Sequence, residues 1–182
     1  MLIPPKYRTT VADNSDKVVI HISTVAAMTA GHTTGRTTFA KVGIGATPVT
    51  FDHNADGVRT GTGWLGGDDA WLVWDRNGNG SIDTGRELFG VDTVKGNGQL
   101  ATSGLDALRD LDSNADGLFS AEDATFAQLR LWQDLNQDGI SQSHELATLE
   151  DKGIVSICVT GAASATNLGN GNTVGATAAV TH

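Results

Sequence analysis

Asp134, Asn136 and Asp138 stand at alternate positions, Gly139 follows at once, and Glu145 comes seven residues after Asp138. With Asp134 as position 1, Asn136 is position 3, Asp138 is 5, Gly139 is 6, Ile140 is 7, Gln142 is 9 and Glu145 is 12. That is the register of a twelve-residue EF-hand loop, whose chemistry is calcium binding. Calcium takes six to eight hard oxygens at about 2.3–2.6 Å. In a tightly curled loop alternate residues point inward, so positions 1, 3 and 5 converge. Gly at 6 permits the turn that brings the carbonyl of position 7 inward, and Glu at 12 closes the sphere with both oxygens. Position 8 is where a loop meets a sister loop, and Ser141 stands there, with Ile140 one place early.

The register recurs. Asp112, Asn114, Asp116, Gly117, the Leu118 carbonyl, Ser120 and Asp123 fill positions 1, 3, 5, 6, 7, 9 and 12 of a second loop. Asp at 12 is shorter than Glu, so a weaker site is expected. Asp75, Asn77, Asn79, Gly80, the Ser81 carbonyl and Asp83 begin a third loop, where position 12 is Arg86 and the carboxylate arrives one residue late, at Glu87. Asp52, Asn54, Asp56, Gly57 and the Val58 carbonyl begin a fourth, with no acid at 12 and with Asp68 or Asp69 as more distant candidates to close it. The starts at 52, 75, 112 and 134 are 23, 37 and 22 residues apart, which suggests two pairs of loops. About three to four Ca2+ ions are expected. The alternative reading is a set of Asx turns that need no metal. Without calcium each loop gathers repelling carboxylates, so calcium is expected to order this part of the chain.

The 182 residues carry 21 Asp and Glu against 12 Lys and Arg, a net charge of −9. That balance disfavours nucleic acid and anionic membranes and suits cations. Four divalent ions would roughly cancel it. Cys158 is the one cysteine, which excludes an intrachain disulfide, and its apolar surroundings predict a buried structural thiol. The five histidines have no metal-ligand spacing, no G-x-S-x-G is present, and Trp64, Trp71, Trp74 and Trp132 read as core. No apolar run is long enough for membrane insertion. The N-terminus does not read as a signal peptide, which leaves a cytosolic protein, export without such a signal, or a fragment.

These loops need elements to hold them. Residues 18–25 and 154–160 read as strands, as do "TPVTFD" and "DAWLVWD" ahead of the first two loops. Three helices are expected. One runs over 103–111, with a Ser103–Asp106 capping box and Leu105, Leu108 and Leu111 on one face. The second runs over 122–133, with Phe126, Leu129 and Trp132 aligned, and the third over 143–152, with Leu146 and Leu149 inward and Gly153 as its stop. The expected fold is α+β: a β-rich part carrying the first two loops, then an EF-hand-like helix-loop-helix-loop-helix pair and a short tail. Residues 1–46 form an uncertain N-terminal region, 47–160 the calcium module, and 161–182 a Gly/Ala/Thr-rich tail of short strands or little order.

The run "GW", "DD", "DRNGNG", "ELFG", "LRLWQDLNQDG" and "ELATL", in that order over about 47–160, resembles a calcium-binding module of RTX-type (hemolysin-like) proteins secreted by Gram-negative bacteria. The resemblance implies a secreted, calcium-ordered module attached to the remaining domains of a larger protein. In that family some modules are self-processing, cleaving an Asp-Pro bond whose new terminal Asp then joins a Lys of another chain. Here the prolines are Pro4, Pro5 and Pro48, preceded by Ile3, Pro4 and Thr47, so no Asp-Pro bond exists, and "HTTGRTTFAK" replaces the family's leading Asp-rich loop. Calcium binding without self-cleavage is the expectation. The rival classes are a calcium-triggered autoprotease and a dockerin-like interaction module, which the 22-residue spacing of the last two loops suggests.

Overall fold

The structure, a computed structural model, describes residues 19–21, 49–65, 69–169 and 172–182. The strand expected over 18–25 is described only as β1 (Val19–His21), and most of the 1–46 region lies outside the described residues.

The central element is β4 (Asp69–Val73), in which all five residues are buried. Side chains of a strand alternate between faces, and here each face has a core. Ala70 and Leu72 join one cluster with Phe89, Leu108, Phe119, Leu129 and Ile157. Trp71 and Val73 join the other, with Val49, Phe51, Trp64, Ile82 and Leu88. β6 (Arg130–Trp132) pairs antiparallel with β4 in the register Trp71↔Trp132 and Leu72↔Leu131, so Leu131 enters the first core and Trp132 the second. β7 (Leu146–Thr148) follows β6, completing a sheet of order β1-β4-β6-β7.

The second core is covered by the antiparallel hairpin of β2 (Val49–Phe51) and β3 (Thr60–Thr62). The first is covered by α1 (Gly104–Arg109) and by a sheet of order β11-β8-β5, made of β5 (Leu118–Ser120), β8 (Ser156–Cys158) and β11 (Val180–Thr181). In the tail, β9 (Ala162–Gly169) and β10 (Asn172–Thr177) form a hairpin with two register shifts.

The α+β expectation is overturned. Among the described residues α1 is the one α-helix, and no EF-hand helix pair is present. Its cap is half as expected: the Asp106 amide donates to Ser103 Oγ, but the Asp106 carboxylate turns to the Thr102 amide and Lys95 Nζ. In place of helix 122–133 stand a 3-10 turn (Phe126–Gln128) and β6, with Leu129 already extended at ψ 153°. In place of helix 143–152 stand a 3-10 turn (Ser143–Glu145) and β7. The reason is tertiary. Leu129 enters one core and Trp132 the other, and likewise Leu149 and Leu146 serve opposite sides of the sheet. A helix would put each pair on one face, whereas β6, paired with β4, sends Leu131 and Trp132 to opposite cores, and β7 is held on β6.

Candidate metal centre

The four loops share one backbone turn. In each, the amides of positions 5 and 6 donate to the carboxylate of position 1: Asp56 and Gly57 to Asp52, Asn79 and Gly80 to Asp75, Asp116 and Gly117 to Asp112, Asp138 and Gly139 to Asp134. The amide of position 7 donates to position 5 at 2.8 Å in every loop: Val58 to Asp56, Ser81 to Asn79, Leu118 to Asp116, Ile140 to Asp138. Position 6 is a glycine at φ 83°, 82°, 86° and 71°, as the motif requires. Position 4 is left-handed too, at Ala55, Gly78, Ala115 and Gln137, a feature the pattern of acids did not reveal. Val58, Leu118 and Ile140 at position 7 have exposed side chains.

Three carboxylates fold back onto amides of their own loops. Glu145 accepts from the amides of Leu135 (2.8 Å) and Gln142 (3.3 Å), positions 2 and 9. Asp123 makes the same two bonds, to Ser113 (2.7 Å) and Ser120 (2.9 Å). Glu87, one residue late, takes the Asp83 amide at position 9 (2.8 Å), but its Oε1 is buried without a partner. In the loop at 52 the described Asp69 is buried at the start of β4, while Asp68 lies outside the described residues.

The side-chain amides inside the loops face the carboxylates. Asn54, Asn114 and Asn136 each donate to the position-5 Asp at 3.0 Å, Asn79 donates to Asp83, and Gln142 to Asp138. Accordingly, no three His, Cys, Asp or Glu side chains form a ready-made metal cluster among the described residues. The donor set nonetheless fits a hard cation. It is all oxygen, and one of its buried acceptors, Glu87 Oε1, has no donor, an arrangement that costs about 1–3 kcal/mol unless something binds there. Burial, reinforced by the charges of Asp83 and Asp75, pushes the Glu87 carboxyl up against its hydrogen bonds. Burial and the charge of Glu145 do the same to Asp134.

Three of the loops gather at the second core. Ile82, position 8 of the loop at 75, donates its buried amide to Ser141 Oγ, position 8 of the loop at 134, at 2.7 Å. The loop at 134 therefore meets the loop at 75, and the spacing-based pairing with the loop at 112 is not what forms. Asp52 forms a parallel bridge with Thr84, and its carbonyl accepts from Gly85 at 2.8 Å. The loop at 112 instead runs into β5, which pairs with β8. Trp64 and Trp132, read as core, are also donors: Trp64 Nε1 to Asp134 Oδ2 at 2.6 Å and Trp132 Nε1 to Glu145 Oε2 at 3.4 Å. The signal for this was the polar edge of indole, which needs a partner when buried. Cys158 is half-buried rather than buried, with Sγ against Thr160.

Together these features define an acidic, β-rich module built on a repeated Asx-glycine turn closed by a carboxylate. A family model, that of the SPM domain, matches residues 37–182, and the chain belongs to that family. It is also 55% identical, over 124 residues, to the iron-regulated protein FrpA of Neisseria meningitidis serogroup C. That match covers 68% of this chain but 11% of FrpA, so the chain corresponds to a small part of its relative.

Proposed function

We propose that this chain is a calcium-binding module of a larger RTX-type secreted protein, ordered by Ca2+ at its repeated loops. The observation that carries the reading is the buried, donor-free Glu87 Oε1 at the close of one of four loops of calcium-binding register. The net charge of −9 and the similarity to part of FrpA support it. Among the described residues no helix is long and apolar enough to cross a membrane. A cation entering a loop would replace the side-chain amides as partner of the position-5 carboxylate and relieve the repulsion between the acids. Secretion gives the chemistry a use: calcium is scarce in the cytosol and abundant outside, so such a module would tighten after export. The chain contains no Asp-Pro peptide, so this reading includes no cleavage at that dipeptide.

The test is calorimetric calcium titration of chelator-stripped protein, with circular dichroism and intact mass followed in parallel. About three to four ions, a gain of order and an unchanged mass are expected. No heat and no change in the spectrum at millimolar calcium would overturn the reading.

A further inference from the structure

We propose that Trp64 is a positioning residue for the loop at 134, and that through it the filling of that loop fixes the β2–β3 hairpin onto the central sheet. The proposal rests on the calcium reading above. Trp64 lies just beyond β3 and is 2% exposed. Its indole Nε1–H donates to Asp134 Oδ2 at 2.6 Å, the oxygen that also accepts from the Gly139 amide at 2.9 Å. Asp134 is position 1 of its loop, so the bond fixes the rotamer of the carboxylate that leads the cage. A donor behind a ligand orients it, and loss of such a partner typically costs about 10- to 100-fold in metal affinity.

The ring is itself held. Its centroid lies 5.4 Å from those of Trp71 and Trp132 and 5.5 Å from that of Phe51, with edge-on or tilted contacts. Two further bonds join the same stretch of chain to the same loop. Arg59 Nη2 donates to Gly139 O and Thr50 O, each at 2.7 Å, and Gln137 Nε2 donates to Leu65 O at 3.3 Å. The 49–65 segment thus grips the loop at 134 at its first ligand, at its glycine and at position 4. The loop at 112 has its own turn and closing acid but sits at the other core, and it serves as the internal control.

The experiment is a calcium titration of the full chain by proton–nitrogen correlation spectra, for the native sequence and for Trp64→Phe and Arg59→Ala. In the native chain the Trp64 indole proton should shift in step with the amides of residues 135–145. Trp64→Phe should raise the calcium needed to fill that loop about 10- to 100-fold and leave the loop at 112 filling as before. Arg59→Ala, at an exposed residue, should shift it in the same direction by less. Unaltered filling of the loop at 134 in Trp64→Phe overturns the proposal and leaves the calcium reading standing. No calcium-dependent shift anywhere in the native chain overturns both. If Trp64→Phe fails to fold, the native chain decides: an indole signal unmoved while the loop at 134 fills overturns the proposal.

Discussion

The loops at 112 and 134 have the same turn, the same two amides on the carboxylate of position 1, and a closing acid on the same two amides. Their settings differ. Asp112 is half-buried, and its loop projects from the edge of the first core. Asp134 is buried, bonded by an indole, and shares its surroundings with the loop at 75 and the β2–β3 hairpin. One satisfies its own groups and the other depends on neighbours. An identical local motif is therefore a self-contained turn in one place and a junction in the other.

Position 6 exposes this difference most sharply. Gly117 has φ 86° and open space where a Cβ would stand. Gly139 has φ 71°, and a Cβ there would meet Val49 Cγ1 at 2.6 Å and the Thr50 carbonyl at 2.9 Å. Gly117→Ala should therefore lose about 1–2 kcal/mol from left-handed strain alone. Gly139→Ala adds a collision with the hairpin, about 1–3 kcal/mol more. Urea denaturation in chelator measures both, and equal losses would refute the claim that the hairpin clamps the loop at 134.

The hydroxyls give a smaller contrast. Ser141→Ala strips the buried Ile82 amide of its acceptor and should cost about 1–3 kcal/mol while weakening filling of the loop at 75. Ser113 is exposed, and its Oγ donates to an Asp123 oxygen that also holds the Ser113 amide at 2.7 Å. Ser113→Ala should stay within about 0.5 kcal/mol of the native chain. A Ser141→Ala variant with native stability and native calcium stoichiometry would show that the two loops stand independently.

What was legible in the sequence follows from the range of the forces involved. The loop register, the glycines at position 6, the late Glu87 and the strand in "DAWLVWD" are local, so spacing reveals them. The helices expected at 122–133 and 143–152 do not form, because apolar residues three apart also fit a short turn followed by a strand of a sheet. What separates the two cases is the β4 partner, some 60 residues away in sequence at Trp71↔Trp132. The pairing of the loops at 75 and 134 is hidden for the same reason. Ser141 marks position 8, but only the folded sheet places Ile82 against it.

The two regions should also answer to pH with opposite sign. Asp134 and Glu87, at the second core, are held above the ordinary carboxylate range, chiefly by burial. Their folded form binds protons more tightly than the unfolded chain, so the stability they contribute is present at low pH and lost as pH rises through their native values. Asp123 is the reverse. Burial opposes its charge, but the amides of Ser120 and Ser113 outweigh burial and hold it below the ordinary range. Asp106, in α1, is also lowered, by the Thr102 amide and Lys95. Stability from these two is present above the unfolded value and lost as pH falls through the native one. In chelator, the stability difference between native protein and Asp123→Asn should therefore hold level down to about pH 4 and shrink only as pH drops below about 4. The stability of the native protein relative to Asp134→Asn should instead rise as pH drops from about 7 to about 4, because protonation removes a buried charge that the amide never carries. Equal slopes for the two variants would mean that the loops sit in equivalent surroundings, and the contrast between the self-contained turn and the junction would fail.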